Sequence, residues 1–292
     1  MSAAASAWRQ GVARIARHED RGAGHRWLEL ELEPPFPRPL PGQFVQLRLT
    51  AGAGPVLLPR PMSVAGVGRA RGRLRLGFLY AAVGAGTRAL AALGVGEAVG
   101  LLGPLGRGFP LAVAGTPVLI AGGRGVAPLL FAADALARRR RRATLLFGAR
   151  ARAQLVGLAD AHRRIAALGG RLHVCTDDGS AGPRTDVVRL LERVAPGLAG
   201  RPVLHACGPH AMLKAVALWA LARGVPAFLA MESMMACGTG VCRGCPLPRS
   251  AAARAAYDPA TASSLHGNRE WAMCCTEGPV FAAADLDWER IS

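Results

Sequence analysis

Lysine is almost absent from this 292-residue chain: Lys214 stands alone beside thirty-five arginines. Acidic residues are scarce too, 19 against 36 basic, so the formal net charge is +17. Aromatic side chains make up only 5%. A face that binds nucleic acid through stacking interleaves aromatics with basic groups, and no stretch here does so. The densest basic run, 138–142 in "ALARRRRRATLLFG", falls where an apolar helix pattern gives way to an apolar strand. Arginines there complement the helix dipole and stay in water. The charge therefore reads as an arginine-rich composition spread over a solvated surface, and neither nucleic acid nor membrane is expected as a partner. No apolar run approaches the ~20 residues of a membrane helix; the best, "AMLKAVALWALA", is broken by Lys214. The opening "MSAAASAWRQGVARIARHED" lacks the basic start and apolar core of a secretion signal. A cytoplasmic location is expected, where disulfides are disfavoured.

Apolar residues make up 51% of the chain, enough for packed cores, and the length suits two or three domains. Residues 1–112 are rich in Pro and Gly, with short alternating segments. "GHRWLELELE", "GQFVQLRLT", "PMSVAGV", "RLRLGFLY" and "EAVGLLGPLG" read as strands between turn signals, interrupted by one short helix, "GTRALAAL". That spacing predicts a small antiparallel barrel or sandwich. Over 113–230, the strands "TPVLIAGG", "ATLLFGAR", "RLHVCTDDG" and "RPVLHACGP" alternate with helical patterns, which predicts a doubly wound parallel sheet. Residues 231–292 have little helical periodicity, and 250–264 read as a surface excursion of small residues. The fold class is α+β and multidomain.

Five of the seven cysteines fall in that last part. Cys237, Cys242 and Cys245, in "MMACGTGVCRGCPLP", follow the spacing C-x4-C-x2-C, with Cys274 or Cys275 as a fourth downstream. This is the plant-type spacing for a [2Fe–2S] cluster held by four thiolates. Gly238, Gly240 and Gly244 let a short loop wrap closely and turn its N–H groups toward the sulfurs. A structural zinc site is the rival, but zinc more often uses paired C-x2-C knuckles. Cys175 and Cys207 lie inside predicted strands and read as small buried residues.

Two further patterns suggest ligand sites. "LIAGGRGVAPLL" sets Gly122, Gly123 and Gly125 between a strand and a helix, where backbone N–H groups can meet a pyrophosphate. It reads GGxGxxP, so it is weak alone, since a plain packing turn looks the same. "ACGPHAML" repeats the arrangement with Cys207, Gly208 and Pro209, and two such turns make a dinucleotide cleft more credible. In the first part, Arg60 stands near Ser63 in "LPRPMSVAG", and Gly86 and Thr87 open a helix. Spacing alone leaves an ordinary turn and helix cap as the simpler reading of both.

Taken in order, "PGQFVQLR", "RPMSVAG", "VGAGTRAL", "GPLGRGF", "AGGRGVAPLL", "TDDGSAG", "ACGP", "MESMMACGTGVCRGC" and "CTEGPVF" resemble the electron-transfer subunits of NAD-linked dihydroorotate dehydrogenases, within the ferredoxin–NADP reductase superfamily. The resemblance implies an antiparallel FAD-binding β-barrel (1–112), an NAD-binding α/β domain (113–230) and a small C-terminal [2Fe–2S] domain (231–292). It implies FAD contacts from Arg60, Pro61, Met62, Ser63, Leu79, Tyr80, Ala81, Gly86 and Thr87. It assigns an NAD cleft to Gly122, Gly123, Gly125, Cys207, Gly208 and Pro209. Cys237, Cys242, Cys245 and Cys275 become the cluster ligands, Cys275 because the family's ligand stands directly before x-x-GPVF. No side chain is implied as a catalytic acid or base.

The implied role is a relay in pyrimidine biosynthesis. Electrons from a partner subunit that oxidises dihydroorotate on FMN pass through the cluster and FAD to NAD, in a heterotetramer of two of each chain. The chain departs from the family pattern at Arg124, where a small apolar residue is usual, in the shorter segment after "TDDGS", and in the longer span from Cys245 to Cys275. Two alternatives share parts of the pattern. One is a flavin reductase subunit of another complex, such as a hydrogenase, a sulfite reductase or a bifurcating transhydrogenase. The other is a zinc-stabilised binding protein without redox chemistry. Arg150 and Arg152, after the second sheet strand, leave the choice between NAD and NADP open.

Overall fold

The computed structural model describes residues 8–49 and 56–291. The first seven residues, read above for a secretion signal, and Thr50, the end of one predicted strand, lie outside that range. Seven strands form the first sheet: β1 (Arg9–Gly22), β2 (His25–Leu32), β3 (Phe44–Leu49), β4 (Arg60–Ser63), β5 (Gly66–Ala70), β6 (Arg73–Ala81) and, after helix α1 (Ala85–Ala92), β7 (Ala98–Leu105). The order is β4-β3-β7-β1-β2-β6-β5 and every pairing is antiparallel. The alternation read in "HRWLELEL" places Leu28, Leu30 and Leu32 inside, with Ile15, Val45, Leu47, Leu76 and Phe78. Among the described residues β4 and β5 do not pair, so the sheet curls round its core as an open half-barrel. Pro61 within β4 suits that edge, because it has no N–H to offer a further strand.

The second sheet takes β8 (Thr116–Gly122), β9 (Thr144–Ala149), β10 (Arg171–Thr176), β11 (Pro202–Cys207) and β12 (Ala227–Ala230) in parallel. Helices α2 (Val126–Arg138), α3 (Leu158–Ala167), α4 (Val187–Val194) and α5 (His210–Ala222) connect them. The central strands β8, β9 and β11 are buried on both faces, as their apolar runs require, whereas the edge strand β10 is half-exposed. Val118, Ile120 and Leu204 face a core shared with α4 and α5; Leu119, Ala121 and Phe147 face one shared with α2 and α3. Phe131 of α2 reaches the half-barrel core, so one helix plugs both units. Arg164 of α3 adds a polar tie, donating to the Ala65 carbonyl (2.8 Å) while pairing with Asp134 (3.3 Å).

The remainder holds β13 (Pro246–Pro248), α6 (Ala251–Ala255), β14 (Trp271–Met273) and β15 (Val280–Ala282). β13 and β14 form a small antiparallel ribbon, whereas β15 joins the second sheet antiparallel to β12. Cys245, Met273, Cys274 and Cys275 share the core of α5 and β11. Among the described residues no helix is long and apolar enough to cross a membrane.

His205, in the middle of β11, is 1% exposed. Its ring stacks on Phe228 (5.7 Å) and meets Phe109 edge-on (5.6 Å). Burial, helped by the charge of Arg141, lowers its pKa to about 4. Between the ordinary imidazole value and about 4, the unfolded chain binds a proton that the folded chain refuses. Stability therefore falls as pH drops through that window, by ~3 kcal/mol from this residue. Urea unfolding at pH 7 and pH 4 is expected to show that loss in the wild type and a correspondingly smaller one in His205→Phe.

Candidate functional site

The ends of β8 and β11 are neighbours, with Ala121 opposite Cys207, and the strand order reverses between them. Such a switch point opens a crevice above the carboxyl ends of the strands. Here two glycine turns fill its floor. A Cβ on Gly125 would collide with the Cys207 carbonyl, and one on Gly122 would meet Met212 Sδ (2.6 Å) and Pro209 Cδ (2.8 Å). Gly208 packs just as closely on Gly122. Gly123 is different: its φ is +52° and a Cβ would meet nothing within 4 Å. Its backbone faces an open cleft of about 640 Å³, lined by Gly122, Gly123, Gly125, Gly208 and Pro209, with Arg124, Arg150, Asp177, Asp186 and Glu232 as the charged walls. Arg152 does not line it; its N–H donates to Ser180 Oγ (2.8 Å).

A second hollow of about 250 Å³ lies between the half-barrel and the second sheet. Pro61, Met62 and Ser63 of β4, Leu79, Tyr80 and Ala81 of β6, and Thr87 of α1 line one side; Gly125 and Cys207 line the other. Arg124, Gly125 and Glu232 belong to both hollows. The Tyr80 hydroxyl donates to His18 Nε2 (2.8 Å), whose Nδ1–H donates to the Leu93 carbonyl (2.8 Å). Burial raises Tyr80 to about 12 and lowers His18, so the pair is neutral at pH 7. Arg60 is outside the lining; its guanidinium lies on Gly86, where a Cβ would collide. It therefore stands at the start of α1, where Thr87 Oγ1 accepts from Gly84 N–H (3.0 Å) and donates back to the Gly84 carbonyl (3.1 Å).

The cysteine loop follows β12. Its thiols are grouped in two pairs. The N–H groups of Thr239 and Cys242 donate to Cys237 Sγ (3.4 and 3.5 Å), and that of Cys275 donates to Cys245 Sγ (3.4 Å). Burial works against the Cys237 thiolate, but these donors outweigh it and bring the pKa to about 6. The Cys275 thiol and N–H bring Cys245 to about 7 against its burial. Cys275 itself is pushed up by the same hydrogen bond. Cys274 turns the other way, its thiol on the Met231 carbonyl (3.8 Å), and burial pushes it up. Gly238 (φ +76°) and Gly240 (φ +85°) make the turns. Glu277, just beyond, accepts from the N–H groups of Gly267 and Met273 (2.8 Å each) and pairs with Arg249. All seven cysteines are free thiols, and among the described residues no three His, Cys, Asp or Glu side chains are set as a ready metal site.

Sequence reading missed one stretch of wall. Met231, Glu232, Ser233 and Met235 line the smaller hollow, as does Pro279 beyond the last cysteine pair. Their signal was the family-like stretches "MESMMACGTGVCRGC" and "CTEGPVF", in which they stood without a role. Asp177 stood in a family motif without a role and lines the cleft.

The family description "Oxidoreductase NAD-binding domain" matches residues 119–217. A protein of Desulforamulus reducens named dihydroorotate dehydrogenase B (NAD(+)), electron transfer subunit, is 34% identical over 86% of this chain and 87% of its own length. One of the same name from Shouchella clausii is 33% identical over 95% and 98%. Among solved structures, an NADH-dependent reduced ferredoxin–NADP oxidoreductase studied for flavin-based electron bifurcation shares the fold, with a TM-score of 0.77 at 24% identity over 96% of this chain and 91% of that one.

Two outcomes are expected from this geometry. Gly125→Ala must displace one turn from the other, which is expected to raise the Kd for a nicotinamide nucleotide roughly tenfold, read by titration with circular dichroism as the fold control. In metal-free protein, Cys237 alkylation by iodoacetamide is expected to be half-maximal near pH 6, with buried Cys207 and Cys274 unlabelled in mass spectra.

Proposed function

This chain belongs to the electron transfer subunits of dihydroorotate dehydrogenase B, NAD-linked oxidoreductase subunits, and from that membership we propose that it passes electrons from a dihydroorotate-oxidising FMN subunit through a [2Fe–2S] cluster and FAD to NAD. The observation that carries the proposal is continuity. The segment between β12 and Cys237 is a wall of the hollow that Tyr80, Ser63 and Cys207 also line, so three ligand sites adjoin one another. We retain the division into 1–112 for flavin, 113–230 for nucleotide and 231–292 for the cluster as part of this reading.

The residues present suit each group. Away from Arg124 and Glu232, where it meets the larger cleft, the smaller hollow is walled by neutral side chains such as Pro61, Met62, Leu79 and Ala81, which suit an isoalloxazine ring, with Ser63 as a polar contact. Arg60 and the N–H groups at the start of α1 suit the anionic diphosphate of FAD. In the larger cleft, Gly123 leaves room for the pyrophosphate of NAD to lie on the backbone, at the positive end of α2. Arg124 adds a cation where the two hollows meet. Cys237, Cys242, Cys245 and Cys275 supply four thiolates, the number a [2Fe–2S] cluster takes. The amide donors on Cys237 and Cys245 favour the deprotonated form such ligands need. Cys275 meets Cys245 whereas the Cys274 thiol turns to the Met231 carbonyl, which supports Cys275 as the fourth ligand.

Flavin, when bound, exchanges electrons singly and in pairs, and so couples a one-electron cluster to a two-electron nicotinamide. The protein's part is positioning. Gly125 and Cys207 bring the nucleotide cleft against the flavin hollow, and Tyr80 with His18 keeps the β6 side of that hollow uncharged. No side chain is assigned as an acid or base. Met234, Val241 and Trp271, 86%, 72% and 36% exposed round the cysteine loop, support docking of the FMN subunit there, in a heterotetramer with two copies of each chain.

The test is to co-purify the chain with its genomic partner without oxygen, record the visible spectrum, and assay NAD reduction by dihydroorotate. Flavin and iron–sulfur absorption with dihydroorotate-dependent turnover is the expected result. Colourless protein, or turnover with a different donor only, overturns the reading. Cys242→Ser is expected to abolish dihydroorotate-dependent NAD reduction while FAD content, measured after acid release, stays at the wild-type level.

A further inference from the structure

The excursion between Cys245 and Cys275 is longer than the cysteine motif needs, and nothing above gives it a role. Its ends are joined by the β13–β14 ribbon and by the largely buried Arg249–Glu277 pair. Its outer part folds back onto the cysteine loop, and the contacts there are specific. Arg243, between Cys242 and Cys245, has φ +51°. A left-handed conformation costs a residue other than glycine ~1–2 kcal/mol, and such a residue persists where its surroundings hold it. The surroundings are carbonyls of the excursion: Arg243 Nη1 donates to the His266 carbonyl (3.0 Å) and Nη2 to that of Ser264 (2.8 Å). The carbonyl between them, on Leu265, accepts from Thr276 Oγ1 (3.1 Å). It also closes over Gly240, where any Cβ would collide with it. Three successive carbonyls thus engage the cysteine motif at three places: between its second and third cysteines, inside its first turn, and directly after Cys275.

We propose that Arg243 and residues 264–266 form a clasp across the cysteine loop, with Arg243 a positioning residue that retards loss of the bound metal. The inference rests on the cluster reading above. For iron to leave, the loop must open and the thiolate–iron bonds must break, the freed sulfurs taking protons from water. The sections of loop that carry Cys242, Cys245 and Cys275 are all tied to the same run of carbonyls, so opening any of them first breaks a tie. The arginine fork fits this task because it meets two carbonyls at once, whereas a lysine ammonium is a single point charge.

The experiment uses the oxidised holoprotein with excess ferrozine and ascorbate, which reduces the released ferric iron to the ferrous form the chelator binds, following decay of the cluster absorbance and growth of the iron–chelator colour. Arg243→Gly removes the fork and also relieves the left-handed backbone, so the loop keeps its conformation. Iron release is expected to quicken roughly tenfold, on the scale of two partly exposed charge-assisted hydrogen bonds. FAD content and the EPR g-values of the reduced protein are expected to stay unchanged, because the ligand set is intact. Arg243→Lys is expected to fall between, and Thr276→Val to quicken release by a smaller factor. Equal release rates from loaded wild type and loaded Arg243→Gly overturn the clasp alone. Should the glycine variant purify without iron, the lysine and valine variants decide by the same comparison. Wild-type protein without iron or sulfide overturns the cluster reading, and the clasp with it.

Discussion

One buried hydrogen bond sets the register between the half-barrel and the cysteine-bearing part of the chain. Gln46, 2% exposed on β3, donates through Nε2 to the Met235 carbonyl at 2.7 Å. Two residues on, Cys237 begins the motif, and a Cβ on Gly238 would lie 2.8 Å from Gln46 Cγ and 2.9 Å from Leu105 Cδ1, too close for any residue but glycine. A buried amide that loses its partner is costly, so the segment cannot slide along β3 without penalty. Because Met235 lines the smaller hollow, that register fixes how far the first cysteine stands from it. The Gln46 Oε1 atom is itself buried without a partner, a cost borne at a join whose position matters.

The three parts are more interdigitated than their order along the chain suggests. Phe131 of α2 is inside the half-barrel, and Trp27 of β2 packs with the α2 and α3 core. Cys245, Met273 and Phe281 pack with α5. Arg164 ties α3 to the backbone beyond β4. Interfaces of this kind resist the relative motion that a polar, loosely packed domain boundary permits. Rigidity suits a protein whose ligand sites must keep fixed separations.

Much of this was legible in sequence where burial dictates pattern. The strands "TPVLI" and "ATLLF" are apolar throughout because helices cover both faces, and "HRWLELEL" alternates because one face meets a core. β1 went unread: Ala13 and Ile15 are its only fully buried apolar residues, and Arg, His and Glu on the other positions mask the period. The α3 pattern begins in sequence at Leu155, but Gly157 adopts φ +82° and the helix opens at Leu158. The motif glycines meet at one cleft and the β4 and β6 residues share one wall, whereas among the described residues the four motif thiols stand as two pairs and not as one ready metal site. Residues 231–235 stood in a family-like stretch but their place as a wall did not show, because a segment with neither helical nor strand period becomes a wall only through tertiary placement. The excursion's contacts are likewise made by backbone carbonyls, which every residue carries and no composition reveals.

The short strand β15 has a consequence for synthesis. Residues 280–282 cover the outer edge of β12, and an uncovered strand edge is a template for pairing with another chain. Domains ordinarily finish folding one after another as they leave the ribosome. Here the middle unit emerges with that flank bare, and stays so until some fifty further residues have been translated. The nascent polypeptide is therefore open to misassembly during that interval, and the codons that follow β12 govern how long it lasts.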